Sequence, residues 1–338
     1  MTISTEKTAP EAAVLLINTG SPDAPTTGAV RRYLAEFLSD PRIVELPRWQ
    51  WMPILHGIIL RTRPAKSAKR YQGVWTDRGS PLIVNCEDAA EKLNAVLGPR
   101  IVVKSAMRYG NPSIAEAIDA VLALGVRRVL LFPMFAQYAA QTSAACIDAA
   151  FAHLSRLRSL PAIRTVREYH TAPEYIEALA QQVLAHWARA GRLNADGQRG
   201  KLLMSFHGIP KKSSELGDTY EADCKETAAL LAQRLGLSSE EWGTAFQSRF
   251  GRDEWLQPYS IDVVKAWAAE GVSRIDVICP GFAADCLETI EEIGDELGGI
   301  YRNAHPNGVF HYIPALNAGE SAIDAYAAIL RRELSGWI

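Results

Sequence analysis

Short apolar runs rich in Val and Ile recur along the chain. Each is followed by Gly, Pro or polar residues and then by an amphipathic stretch. Apolar runs of this length, bounded by turn residues, read as strands, and their alternation with helical patterns predicts βα units carrying a parallel sheet. The first half offers strands over 14–18, 101–107, 128–133 and 163–169, and the second over 202–206, 244–248, 275–279 and 309–313. Between them, Val30, Tyr33, Leu34, Phe37 and Leu38 recur at helical spacing over 29–38. A helix over 113–124 opens on Pro112 and Ser113, a start signal. Ile323, Tyr326, Ile329 and Leu330 share one face of 321–334, which reads as a terminal amphipathic helix docked on the body of the protein.

The fold class is therefore α/β, with two similar lobes, each a four-stranded parallel sheet flanked by helices in a Rossmann-like arrangement. The segment 191–200 (GRLNADGQRG) is polar and glycine-bounded and reads as the linker. The N-terminal lobe is assigned to 1–190, with a lip segment over 46–70, and the C-terminal lobe to 191–338. The terminal helix 321–334 is expected to pack back on the N-terminal lobe. In open parallel sheets ligands bind beyond the carboxyl ends of the strands. Both halves place polar and aromatic residues there, so a cleft between two lobes is expected.

Composition narrows the picture. A chain of 338 residues suits two lobes. The formal net charge of −2 gives no electrostatic reason to expect a nucleic-acid partner. The five cysteines (Cys86, Cys146, Cys224, Cys279 and Cys286) are odd in number and form no CxxC pair. That argues against a disulfide framework and against a compact zinc or iron–sulfur site. Residues 1–10 are polar and lack a signal-peptide core, and no apolar run reaches the roughly 18 residues of a membrane span. A cytoplasmic protein is expected. No phosphate-binding GxGxxG or P-loop, no GxSxG elbow and no HExxH occurs.

Three features carry candidate chemistry. His207 follows the apolar run 202–206 and precedes Gly208 and Pro210, so it stands where a buried strand stops. It can project into a cleft as ligand or base, or be satisfied by local backbone. The other six histidines (His56, His153, His170, His186, His305 and His311) have no partner at ligand spacing and read as incidental. Glu288, Glu292 and Glu296 lie four apart after Asp285 and stack along one helix face. They suit a carboxylate track for a cation, but spacing alone favours a solvated face, with acids near the helix N-terminus suited by the dipole. Over 46–70, Trp49, Trp51, Met52, Ile54, Leu55, Ile58, Ile59 and Leu60 precede Arg61, Arg63, Lys66, Lys69 and Arg70. Such a segment suits a flat apolar ligand with carboxylate tails, a peripheral lipid surface, or a helix packed on the core with a solvated basic end.

At these residues the chain resembles the ferrochelatase family. The motifs are Asn18-Thr19-Gly20-Ser21-Pro22-Asp23-Ala24-Pro25 with Phe37-Leu38-Ser39-Asp40-Pro41-Arg42-Ile43-Val44, then Ser205-Phe206-His207-Gly208-Ile209-Pro210, then 246–252 through Trp255-Leu256-Gln257-Pro258-Tyr259, then 279–289 ending Asp285-Cys286-Leu287-Glu288-Thr289. The resemblance runs from about residue 12 to 318. It implies a chelatase fold and insertion of Fe²⁺ into protoporphyrin IX to give protohaem with release of two protons. It implies no cofactor beyond substrate iron. The partners would be porphyrin and ferrous iron, the chain a monomer or weak homodimer. It assigns His207 and the glutamate facing it, Glu288, to the metal site and to catalysis. Glu292 and Glu296, with Asp285, would form a metal relay along an irregular, partly π-type helix. Thr19, Arg108, Tyr109 and Trp255 would line the porphyrin pocket, and Arg61 or Arg63 would meet a propionate.

The chain also departs from the family. The family's Tyr-Pro-Gln-Tyr-Ser segment reads Phe135-Ala136-Gln137-Tyr138-Ala139, losing hydroxyls near the pocket. Cys286 stands where some members carry histidine. No cysteine follows Cys286, so the [2Fe–2S] cluster of some members is not expected. A chelatase for another metal or for coproporphyrin, and a non-catalytic porphyrin or haem-binding protein, are the alternatives.

Overall fold

A computed structural model of the protein describes residues 10–192, 200–251 and 253–338. Most of the expected linker, 193–199, therefore lies outside the described residues. The first half runs β1 (Ala12–Asn18), α1 (Thr27–Ser39), α2 (Arg48–Ile54), a π turn over Leu55–Ile59, α3 (Leu60–Val74), α4 (Pro81–Leu97), β2 (Ile101–Met107), α5 (Ile114–Ala123), β3 (Arg128–Pro133), a π turn over Ala140–Ala144, α6 (Ala145–Leu154), β4 (Ala162–Thr165) and α7 (Pro173–Ala190). The second runs β5 (Lys201–His207), α8 (Lys211–Glu215), α9 (Tyr220–Leu235), β6 (Trp242–Gln247), α10 (Ser260–Ala269), β7 (Arg274–Ile278), α11 (Leu287–Thr289), a π segment over Ile290–Leu297, α12 (Gly298–Ala304), β8 (Val309–Ile313) and α13 (Glu320–Glu333).

Two parallel four-stranded sheets result, ordered β2-β1-β3-β4 and β6-β5-β7-β8. The order is the same in both, so the first strand of each half is central and buried on both faces. Every residue of β1 is buried, which explains its unbroken apolar reading. The halves also share the turn after their second strand. Asn111–Pro112 and Gln257–Pro258 are both cis, and the prolines' carbonyls accept from the amides of Met107 (2.7 Å) and Phe246 (2.8 Å).

All eight expected strands are present, and their ends differ for local reasons. β4 stops at Thr165 rather than 169. Beyond it the Val166 amide still donates to Leu131, but Tyr169 turns to Ala136 and stacks on Phe132 at 5.0 Å. β6 stops at Gln247 because Ser248 takes a φ of +64°, outside the strand region. β7 stops at Ile278, two residues before Pro280, which has no amide to continue a ladder. The helix expected over 113–124 is α5, with Ser113 as N-cap and Glu116 closing a capping box.

The largest core cluster runs through both halves, joining Leu16 and Phe132 to Phe206 and Leu231. Helix α13 is part of it. Tyr326, fully buried, meets Phe132 and Tyr169 edge-on at 5.9 and 6.2 Å. Burying each of Ile329 and Leu330 contributes roughly 1.5–3 kcal/mol, so the apolar stripe on 321–334 is core packing.

Candidate functional site

The site begins at the end of β5. Leu202 to Phe206 are buried, and His207 is the last residue in register, opposite Gln247 of β6. The chain must then turn tightly over β6. A Cβ at Gly208 would sit 2.9 Å from the Gln247 carbonyl and 3.0 Å from the Trp255 ring, so only glycine fits. The turn brings the His207 ring back on its own backbone: Nδ1 lies 2.6 Å from the Gly208 carbonyl. A carbonyl only accepts, so Nδ1 is the donor, and in a neutral ring of this tautomer Nε2 holds the lone pair. Trp255, 9% exposed, and Phe282 flank the ring, with centroids 6.3 and 6.4 Å away.

The acids arrive from the neighbouring strand. After β7 the chain passes Pro280 and Gly281, and Cys286 caps the short α11, its amide donating to Thr289 Oγ1 at 3.0 Å. Glu288 is partly buried in that first turn. Its backbone carbonyl accepts from Gln247 Nε2 at 2.7 Å, and Gln247 Oε1 in turn accepts from Ser205 at 2.7 Å. One buried glutamine thus ties the histidine strand to the acid helix. The next residue continues the link. Both Glu292 oxygens are held by Ser248, Oε1 by its amide at 2.6 Å and Oε2 by its hydroxyl at 2.7 Å. The positive φ of Ser248 aims that amide, and such backbone strain is typical of functional sites. Burial pushes the Glu292 carboxyl above its usual range, with a further push from Glu288, against the Ser248 bonds and the nearby His207. Glu292 and Glu296 lie on the π segment that follows, a form that concentrates at functional sites.

The first half supplies the facing wall. Helix α3 lies against the acid helix, where Arg70 pairs with Glu291 through Nε at 2.9 and 3.0 Å and through a further Nη2 contact. Arg63 sits over the Phe250 ring at 5.3 Å. The phenols of Tyr33 and Tyr71 are pushed up chiefly by burial, and both also feel the charge of Glu288. Along the lip, Trp49 is 76% and Ile58 57% exposed.

Not every expected residue joins this group. His207, Glu288, Glu292 and Trp255 gather at the carboxyl edge of one sheet, so histidine and glutamate come from a single lobe. Glu296 is on the same segment but exposed, as is Arg61 on the lip. Thr19 lies at the end of β1, its carbonyl taking the Tyr109 amide at 2.9 Å. Arg108 and Tyr109 are committed elsewhere. Arg108 pairs with Asp40 and stacks on the Tyr109 ring at 4.4 Å, and Tyr109, 1% exposed, donates its hydroxyl to Asp40 at 2.8 Å. Tyr109 therefore presents almost no surface to a pocket. Asp285 is likewise occupied. Its carboxylate accepts from Asn317 (2.7 Å), the Ala315 amide (3.1 Å), Thr289 (3.2 Å) and Tyr312. It fixes the loop after β8 to the acid helix. The segment 135–138 joins the halves, with Gln137 donating to Thr227 at 2.8 Å and the Tyr138 amide to Asp223 at 3.2 Å. Asp40, Gln247 and Ser248 were missed as site-building residues. All three lie inside motifs that carry the resemblance, which was the available signal.

The structure thus joins two matched α/β sheets with an imidazole and several acids at the carboxyl edge of one of them. Solved structures agree on the fold. The sirohydrochlorin chelatase of Bacillus subtilis subspecies spizizenii, in complex with cobalt, superposes with a TM-score of 0.56 at 13% identity, covering 95% of this chain and 94% of that one. The SirB structure from Bacillus subtilis with Fe³⁺ gives 0.54 at 14% identity, covering 96% of each chain. Sequence relatives are far nearer. A ferrochelatase of Methylibium petroleiphilum is 48% identical over 328 residues, 96% of this chain and 88% of that protein. One from Chromobacterium violaceum is 49% identical over 334 residues, 97% and 90% of the two chains. The family model described as Ferrochelatase matches residues 11–334. The chain belongs to the ferrochelatase family.

Proposed function

We propose that this chain inserts Fe²⁺ into protoporphyrin IX to form protohaem, with His207 and Glu288 at the metal and both groups handling protons. The observation that carries the reading is the His207 ring, locked through Nδ1 with its Nε2 lone pair free beside acids. Metallation has to remove two pyrrole N–H protons and strip water from the incoming iron. An imidazole nitrogen with a free lone pair is suited to act as general base. Imidazole and carboxylate both suit Fe²⁺. Glu288 receives the iron or the second proton. Glu292, whose carboxyl is disposed to hold a proton, passes protons or metal along the π segment, with the exposed Glu296 as the solvent end of that track. Asp285 takes no part in this relay.

The macrocycle would lie between the lip and the carboxyl edges of the two sheets, over Trp255 and Thr19, with Arg61 or Arg63 at a propionate. Arg108 and Tyr109 brace that wall from behind. The aromatic and apolar surfaces supply binding energy that can hold the ring out of plane, exposing its lone pairs. The two lobes divide at 190/191, and the protein works as a monomer or weak homodimer in the cytoplasm. No helix among the described residues is long and apolar enough to cross a membrane.

The deciding experiment mixes purified protein anaerobically with protoporphyrin IX and Fe²⁺ and follows absorbance. A haem spectrum that forms only with enzyme supports the proposal. Insertion only with coproporphyrin, or only with Co²⁺ or Ni²⁺, would move the chain to another chelatase activity. Binding without any insertion would make it a porphyrin carrier.

A further inference from the structure

Two of the histidines without sequence partners meet in the fold. In the parallel register of β7 and β8, Asp276 lies opposite His311. The Asp276 carboxylate, 1% exposed, has Oδ1 3.0 Å from His311 Nδ1 and 3.5 Å from His186 Nε2, which reaches over from α7. One ligand atom from each of the three residues lies within 4.8 Å of the others. Donors on a tetrahedral ion with bonds of about 2.0–2.1 Å are about 3.4 Å apart, so little movement is needed. His186 is 9% exposed, and its buried Nε2 has no hydrogen-bond partner, a state that normally costs free energy. We propose that His186, Asp276 and His311 form a second metal site, for a first-row divalent transition ion, remote from the insertion site.

The surroundings fit that ligand class. Burial holds the His186 imidazole toward its neutral form, against the pull of Asp276, and neutral imidazole is the ligating form. Trp187 Nε1 donates to Asp276 Oδ2 at 2.8 Å, and Arg274 holds both oxygens at 3.1 Å. Such outer hydrogen bonds orient a ligating carboxylate. The guanidinium also offsets the one negative charge, so a hard ion that depends on carboxylates gains little. Two imidazoles favour Zn²⁺, Co²⁺ or Fe²⁺ over Mg²⁺ or Ca²⁺. His311, with its side chain 34% exposed, gives the ion a path from solvent. Once bound, the ion would pin α7 to the β7–β8 edge of the second sheet.

The test uses the full chain carrying His207→Ala and Glu288→Gln, stripped with chelator, titrated with Co²⁺ and followed by its visible absorption. One equivalent is expected to bind, with at least tenfold weaker affinity after His311→Ala or His186→Gln. His311 is partly exposed, so its variant should fold, and circular dichroism checks this. X-ray absorption of the Zn²⁺-loaded parent should show two imidazoles. No Co²⁺ binding, unchanged affinity in a folded His311→Ala variant, or a shell with fewer than two imidazoles would overturn the site.

Discussion

The two halves share one topology and put it to opposite uses. Each has a central first strand whose end is crossed closely by the chain, and in each a glycine makes that crossing feasible. At Gly20, φ is +102° and a Cβ would collide with the Tyr109 carbonyl. At Gly208 the obstacle is Gln247 and Trp255. The groups placed there then diverge. The first half closes its edge. Asn18 is buried and turns its oxygen back to the Thr19 amide at 2.8 Å, while Arg108, Tyr109 and Asp40 satisfy one another. The second half holds its edge differently, with His207 bonded through Nδ1 alone and a carboxyl on Glu292 raised from its usual range chiefly by burial. One lobe is thus a braced wall, and the other carries the residues proposed for the chemistry. Topology sets where a site stands, and a few strand-end side chains decide whether it reacts.

The largest effect expected from breaking this contrast is on rate. His207→Ala should slow iron insertion by about 10²–10⁴-fold, the usual scale for losing a positioned general base, while leaving the fold intact. Anaerobic insertion kinetics with a circular dichroism control read this out, and a folded variant working at wild-type rate would remove His207 from the mechanism. The matching change in the other half should act on stability. Asp40→Ala strands the Arg108 charge and leaves the Tyr109 hydroxyl and the Arg42 amide, which donates to Asp40 at 2.8 Å, without an acceptor. Removing one partner of a buried pair costs about 3–5 kcal/mol, and Arg108, 20% exposed, argues for the lower end. Urea unfolding should show the loss as a lower midpoint at constant slope. If folded Asp40→Ala lost insertion as completely as His207→Ala, the first half would be more than a wall.

A smaller effect separates the lobes by pH. The Glu292 carboxyl holds its proton more tightly folded than unfolded, chiefly through burial. Its contribution is fully present below about pH 4.3, the value of a free glutamate. It is lost as pH rises through the raised folded value, because the folded state then binds more protons than the unfolded one. Glu292→Gln removes this dependence, so wild-type stability relative to the variant should decline as pH rises from about 4.3. Parallel urea midpoints for the two proteins across that range would contradict the assignment.

The strands were readable in the sequence because residues buried on both faces leave continuous Val- and Ile-rich runs, as in β1 and β3. Their ends were less so. β4 ends where Tyr169 finds Phe132, a contact across 37 positions, since 169 − 132 = 37. The same limit governs the site. His207 stood out locally as a strand-end histidine before Gly208 and Pro210, with satisfaction by local backbone left open, and the family resemblance singled out both it and Glu288. The partners that the fold gives Arg108, Tyr109 and Asp285 could not be seen in the sequence. Asp40 is 68 residues from Arg108 and Asn317 is 32 from Asp285. His186 and His311 looked incidental because the sheet register that joins His311 to Asp276 spans 35 positions.

Two arginine–carboxylate pairs provide the finest version of the contrast. Arg108–Asp40 in the wall has side chains 20% and 4% exposed, whereas Arg70–Glu291, which ties the lip to the acid helix, has 38% and 25%. Water and salt screen the second pair, so Glu291→Gln should cost no more than about 1 kcal/mol at low salt. That cost should shrink as ionic strength rises from about 0.05 to 0.5 M, where the screening length falls well below 10 Å. The cost of Asp40→Ala should stay constant over the same range, because the wall pair is largely removed from solvent. Insertion kinetics complete the argument. Loosening the lip should raise the KM for porphyrin while kcat holds, since Arg70 and Glu291 touch the cover of the cleft and not the reacting atoms. A fall in kcat at unchanged KM would mean that the lip contact sets the geometry of the acids themselves, and the division between wall and chemistry would then have to be drawn through α3.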